Sequence, residues 1–360
     1  MAVLDVEPDP QSDQIDGLPH PRECDRLVGH QSQIDMFTKA FAENRLHHAW
    51  LLGGPKGVGK ASFAYLAARH LLAGGTAAPG LAVPHGDGVA MRIHAGSHGN
   101  MRTVRRAWDQ KTKKFKKVIS VDDIRALTPF FGSTGSEAGY RIAIIDAADD
   151  MNVNAANALL KLLEEPPTRS LFFLVSHAPG RLLPTIRSRC RKLPFPPLQD
   201  TAVEDLVRAQ LPDTDSQTAF AVARLAEGAP GRAMALLLAD GFDLYRDLFA
   251  AIRASAAQRN KFADPLVRAG QDEKFALFCD LVTDWLARVA RMAARGATIG
   301  EIAVIPEEQP FIEDLLARHG PIGIDKLRNA FFEDRAQTMG LNLDKRQFVL
   351  RQLTALAQVG

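Results

Sequence analysis

Gly54-Pro-Lys-Gly-Val-Gly59-Lys60-Ala61 is the stretch on which the reading of this chain turns. It follows His48-Ala-Trp-Leu-Leu-Gly53, an apolar run that predicts a short buried strand ending in glycines. It precedes Ser62 to Ala73, which reads as a helix. Strand, glycine loop and helix is the setting in which G-x-x-x-x-G-K-[ST] cradles phosphate. Gly54, Gly57 and Gly59 would let backbone N–H groups wrap phosphate oxygens at a helix N-terminus, and Lys60 would reach the β and γ phosphates. The last position should carry a hydroxyl to hold Mg²⁺. Ala61 has none, and Ser62 points about 100° further around the helix. A glycine-rich turn without a ligand is the plainer alternative.

The second half of such a site is an acid ending a later strand. Tyr140-Arg-Ile-Ala-Ile-Ile-Asp146 is an apolar run of the kind buried parallel strands show, and Asp146 fills the metal-binding role. Hydrolysis needs a further carboxylate to orient water. Ala147 stands where that base belongs, and Asp149 and Asp150 lie at the wrong offset. With two groups missing, ATP or ADP is expected to bind, if at all, without efficient hydrolysis.

Around these motifs, helical spacing runs from Gln31 to Asn44. Asn152 to Glu165 reads as a helix stopped by Pro166-Pro167, and Leu171-Phe-Phe-Leu-Val-Ser176 as a buried strand. Strands alternating with helices predict an α/β parallel sheet. Residues 74–90, rich in Gly, Pro and Ala, read as a loop or insertion. After Pro196-Pro197 no convincing strand remains. Phe275, Phe278, Leu281, Val282, Trp285, Leu286 and Val289 form one long helical stripe. Expected boundaries fall near residues 198 and 241: a flexible acidic arm at 1–20, a first domain at 21–198 with an insertion at about 74–118, a helical module at 199–241 and a helical domain at 242–360.

At 360 residues the chain has room for two or three domains. With 46% apolar and 24% charged residues it can bury a core, which excludes disorder as its main state. A net charge of +2 excludes attachment to nucleic acid by bulk charge. Cys24, Cys190 and Cys279 are too far apart for a CxxC zinc site or a disulfide scaffold. Asp5, Glu7, Asp9, Asp13 and Asp16 stand where a signal peptide would be basic and then apolar. No run approaches the ~18 apolar residues of a membrane span. A soluble, cytoplasmic protein is expected.

Several segments converge on one family. Asn157-Ala-Leu-Leu-Lys-Leu-Leu-Glu-Glu-Pro-Pro167 resembles the helix after the second nucleotide motif of bacterial DNA polymerase III clamp-loader subunits, and Ser188-Arg189-Cys190 looks like their SRC motif. Leu27-Val-Gly-His-Gln31 and Arg45-Leu-His-His-Ala49 resemble the segments bracketing their first helix. Within this family the chain is most similar to the delta-prime type. The gamma/tau motor type carries Thr and Glu where Ala61 and Ala147 stand here. The resemblance implies a RecA-like AAA+ domain with a P-loop and a parallel sheet, then a helical lid and a helical collar. It implies a stator role in a five-subunit ring with gamma/tau and delta subunits, serving ATP-dependent loading of the sliding clamp onto primed DNA. An active motor subunit is the alternative. Polymerase activity would belong to the holoenzyme, with little or no ATPase in this chain. Arg189 matches the arginine that such a subunit lends to its neighbour's ATP, with a structural salt bridge as the alternative. Arg187 reads as a surface residue or helper.

Gly228-Ala-Pro-Gly231-Arg232 resembles the sensor-2 element of the lid, where Arg232 either faces nucleotide or only fixes the lid. Ser176 or His177 lies at the strand-end sensor position, where capping the strand is the simpler role. Relatives often carry a four-cysteine zinc module after the helix that follows the phosphate loop. Residues 74–100 have no cysteine, and His85, His94 and His98 alone make no zinc site, so no metal and no required cofactor are expected. Residues 101–117 hold Arg102, Arg105, Arg106, Lys111, Lys113, Lys114, Lys116 and Lys117 against one acid, Asp109. Thr103 to Trp108 and Phe115 to Ile119 could pair as a hairpin. Its cations and Trp108 could meet primer-template DNA, or simply keep an edge strand solvated.

Overall fold

The computed structural model describes residues 9–75, 81–83, 86–132 and 139–357. The chain divides into two compact units, Met1–Ser216 with Ala226–Met234, and Gln217–Leu225 with Ala235–Gly360.

Five strands build the first unit: β1 (Ala49–Gly53), β2 (Met101–Val104), β5 (Arg141–Asp146), β6 (Ser170–Ser176) and β7 (Arg191–Pro194). They form one sheet in the order β2-β5-β6-β1-β7, with every pairing parallel. A separate antiparallel pair joins β3 (Trp108–Asp109) to β4 (Lys114–Phe115). The strands read as unbroken apolar runs because helices cover both faces. Trp50, Leu52, Ile142, Ile144, Phe173 and Val175 pack on one side with Phe37 and Phe63, from the helices Gln31–Ala42 and Lys60–Leu72. Their alternates Ala49, Leu51, Ala143, Ile145, Phe172 and Leu174 pack on the other with Ile124, Leu159, Leu163 and Ile186. The RecA-like AAA+ architecture expected from the sequence is thus present. β6 lies between the strand that leads into the phosphate loop and the strand that ends in Asp146.

Two expectations need correction. Thr103 and Val104 do not belong to a hairpin. They lie in β2, where Val104 is buried opposite Ile145, so the hairpin shrinks to β3 and β4. Residues 9–20 are not a loose arm. Asp13 has a fully buried side chain lying 3.2 Å from both His20 Nε2 and Arg105 Nη1, and Tyr65 Oη donates to it at 3.0 Å. Residues 1–8 lie outside the described residues.

The second unit is helical, and among the described residues no strand follows Pro194. The stripe from Phe275 to Val289 is buried along the helix Asp272–Ala294. Arg288, 4% exposed, donates to Glu308 at 2.7 Å and to the Tyr245 hydroxyl. Glu308 also accepts from the Val304 and Ile305 amides at 2.9 and 3.1 Å, so the buried charges are paired and bonded. Among the described residues no helix is long and apolar enough to cross a membrane.

Candidate functional site

The phosphate loop leaves the C-terminal end of β1. Gly59 caps the helix Lys60–Leu72 at φ 108°, and Gly57 has φ 83°, conformations that favour glycine. Gly54 is needed for space, since a Cβ there would lie 2.2 Å from the Phe195 carbonyl oxygen. The segment before the first helix braces this loop: His30 Nε2 lies 3.0 Å from the Val58 carbonyl oxygen, and Gln33 donates to the Pro194 carbonyl at 2.6 Å. On another side, the start of the helix Pro230–Leu238 is seated on the loop. Gly231 N donates to Gly57 O at 2.8 Å, and a Cβ on Gly57 would meet Arg232 N at 2.5 Å. Arg232 is half-buried.

The polar groups of this site are turned inward. Lys60 is 3% exposed and donates to the Gly54 and Pro55 carbonyls at 2.6 and 2.5 Å. Burial brings its ammonium down to about 8, while Asp146 and Asp149 pull the other way. Asp146, at the end of β5, is buried. Burial pushes its carboxyl up to about 7, with the Asp13 charge adding to the rise and Lys60 opposing it. Asp149 is spent on the end of β6, accepting from Ser176 Oγ at 2.8 Å and from the His177 and Ala178 amides at 2.5 and 3.2 Å. Burial first, and Lys60 second, lower His177 to about 4, so the ring is neutral near pH 7. Ala61 and Ala147 carry no side-chain oxygen at the two positions where the motif reading calls for a hydroxyl and a carboxylate.

The Ser188-Arg189-Cys190 segment lies elsewhere. It immediately precedes β7, whose Arg191 pairs with Trp50 and whose Pro194 pairs with Gly53. The strands are parallel, so Arg189 sits at the N-terminal end of the sheet and the phosphate loop at the C-terminal end. At ~3.3 Å per residue, the strand between them spans roughly 15 Å. Arg189 is 36% exposed, with Nη2 at 2.8 Å from Glu164 Oε1 and Nη1 donating to Thr185 O at 3.0 Å. Cys190 is buried, its thiol raised by burial to about 12, so it packs rather than reacts. Arg187 is half-buried on the short helix Pro184–Ser188.

The eight cations of 101–117 divide. Arg102 lies 5.8 Å from the centre of the Phe130 ring. Arg105 contacts Asp13, and Arg106 pairs with Asp150 at 3.0 Å. Lys111, Lys113, Lys114, Lys116 and Lys117 are exposed on or beside the hairpin. Trp108 and Phe115 pack in a T-shaped pair with ring centres 5.0 Å apart. Arg69 lies 2.8 Å from His94, and the Asn100 amide donates to His98 at 3.2 Å. His85 lies outside the described residues. Among the described residues no group of three or more His, Cys, Asp or Glu is placed to hold a metal ion.

Sequence reasoning missed Asp13, Tyr65, His30 and Glu164. For His30 and Glu164 the motif segments themselves were the available signal. Asp13 and Tyr65 had none, because their contacts join distant positions.

Residues 29–199 match the family model described as DNA polymerase III, delta subunit. The chain is 33% identical over 246 residues to the DNA polymerase III subunit delta' of Pseudomonas aeruginosa, covering 68% of this chain and 72% of that one. It is 41% identical over 174 residues to the subunit delta' of Bacillus subtilis, covering 48% and 49%. It is 32% identical over 186 residues to the subunit gamma/tau of Mycobacterium tuberculosis, covering 49% and 29%.

Proposed function

We infer the function from one premise: the chain belongs to the delta-prime family of DNA polymerase III clamp-loader subunits. It acts as a non-motor, stator-like subunit in a five-membered ring with gamma/tau and delta subunits, and the ring uses ATP to load the sliding clamp onto primed DNA. This chain contributes no polymerisation chemistry and turns over little or no ATP itself. Its contribution to hydrolysis is Arg189, presented to ATP held by a neighbour.

The observation that carries this reading is the register of β7. Arg189 lies at the end of the sheet opposite the phosphate loop, a strand's length from the loop of its own chain, which supports a role toward a neighbour's phosphate rather than its own. A guanidinium at a γ-phosphate offsets the charge that develops there. The loss of Thr and Glu at the positions of Ala61 and Ala147 supports the non-motor role. Whatever nucleotide this chain meets would lie on Gly54, Gly57, Gly59 and Lys60 near Asp146 and Arg232, without zinc and without efficient hydrolysis.

The test is clamp loading by a reconstituted loader carrying Arg189→Ala. Turnover at the neighbouring ATP site should fall by about 10³, within the range seen for such arginines. Loading rates equal to wild type would remove the role given to Arg189. The exposed lysines of the hairpin reach toward primer-template DNA in the assembled loader. Replacing Lys113, Lys114, Lys116 and Lys117 by Ala should flatten the dependence of log affinity on log salt by about 0.9 for each phosphate no longer neutralised. An unchanged slope would speak against DNA binding by the hairpin.

A further inference from the structure

Residues 9–20 run beside the phosphate-loop site, with Asp13 near enough for its charge to act on Asp146. Asp13 is seated between the first helix after the loop and the strand ends that carry Asp146. Tyr65, which donates to Asp13 Oδ2 at 3.0 Å, stands one helical turn after Ala61 and so on the same face of the helix Lys60–Leu72. Arg105, 3.2 Å from Asp13 Oδ1, follows Val104, which pairs with Ile145, so Arg105 is level with Asp146 across the sheet. Two residues further on, Ile15 meets the other wall. A Cβ added at Gly231 would come within 3.3 Å of Ile15 Cδ1, and Gly231 is bonded to Gly57 of the loop. Asp13 thus lies by the Asp146 end of the site and Ile15 by the residue bonded to the phosphate loop. The Asp13 side chain is fully buried: Oδ2 accepts from Tyr65 and Arg105, and Oδ1 lies 3.2 Å from both His20 Nε2 and Arg105 Nη1 in ion-pair contact without a hydrogen bond. An ionised carboxylate held there repels phosphate.

We propose that residues 9–20 are an intramolecular plug of the phosphate-loop site, locked by Asp13, which keeps nucleoside di- and triphosphates out of a loop that still has its glycines and Lys60. This rests on reading Gly54–Lys60 as a nucleotide site. It adds that the chain's own segment, more than the lost hydroxyl, sets the affinity. An apparent dissociation constant is the intrinsic one divided by the fraction of open molecules, so loosening the lock raises affinity without any new contact to nucleotide.

The experiment titrates the full chain with a fluorescent N-methylanthraniloyl-ADP, with and without Mg²⁺. It compares wild type, Asp13→Asn, Arg105→Gln and Asp13→Asn/Lys60→Ala, each checked for native circular dichroism. Arg105 is partly exposed, so its variant stands in should Asp13→Asn fail to fold. Both loosened chains should bind about tenfold tighter or more than wild type, and the added Lys60→Ala should abolish that gain. Equal tight binding by wild type and the loosened chains, sensitive to Lys60→Ala, would overturn the plug while keeping the nucleotide site. Binding by none of them would overturn both. Weaker binding by Asp13→Asn would make Asp13 a ligand rather than a lock.

Discussion

The two ends of the central sheet carry motifs of the same family and treat their charges in opposite ways. At the C-terminal end, Lys60 and Asp149 are spent on the protein's own carbonyls, amides and hydroxyl, and Asp146 is buried beside the Asp13 carboxylate. At the N-terminal end, Arg189 is one-third exposed and bonded to Glu164 and the Thr185 carbonyl. Buried polar groups that satisfy one another stabilise and specify a fold. An exposed arginine adds little stability and stays accessible to a partner. Substitutions at the first end should therefore act on stability, and those at the second on function with stability barely changed.

The largest effect is expected at Gly54. The Phe195 carbonyl leaves no room for a methyl group, and because it is backbone it cannot step aside. Gly54→Ala should cost about 3 kcal/mol, lowering Tm by roughly 6–12 °C. A melt within a degree of wild type would mean the loop is not seated as described.

Asp146→Asn should reveal the buried carboxyl through pH. The carboxyl rests at about 7 in the folded chain against 3.8 for the free group, so between these values the folded state holds more protons than the unfolded state. Stability contributed by this group thus falls as pH rises from about 4 through 7. Asn removes the loss. The variant should equal wild type near pH 4 and gain on it by up to about 4 kcal/mol at pH 8, seen in paired denaturant titrations. His177, lowered to about 4, works in the opposite sense between 4 and 6.5, so the difference between the two chains is more informative than either profile. A difference that does not vary with pH would place Asp146 in water.

The smallest effect is expected at the other end. Glu164→Gln breaks an ion pair whose partners are 36% and 47% exposed, and should change unfolding free energy by less than about 1 kcal/mol. A loss several times larger would make the Arg189 end structural, as the phosphate-loop end is.

Much of this contrast could be read in the sequence. β5 and β6 were visible because a strand covered on both faces is apolar at every position, as Ile142 to Ile145 and Leu171 to Val175 are. The helix from Val153 was visible because Asn152 caps it and Pro166 follows it. The hairpin was overextended because Thr103-Val104 alternates like an edge strand. Only the sheet order reveals that Val104 is covered and lies beside Ile145. The packed segment 9–20 was hidden for a stronger reason. Asp13 finds Tyr65 and Arg105 at separations of 52 and 92 residues, and its composition is that of a solvated arm until those partners arrive. The motifs named Lys60 and Asp146 but not their inward turn, which depends on burial and on neighbours no motif records.

The central claim is that this chain gives an arginine to another subunit's ATP and has no working site of its own. It is tested most directly by ATP turnover of the reconstituted loader with primed DNA and clamp, comparing Arg189→Ala and Lys60→Ala in this subunit alone. The account expects Arg189→Ala to silence the neighbouring site and Lys60→Ala to leave the rate at its wild-type value. Loss of turnover with Lys60→Ala and retention with Arg189→Ala would contradict it.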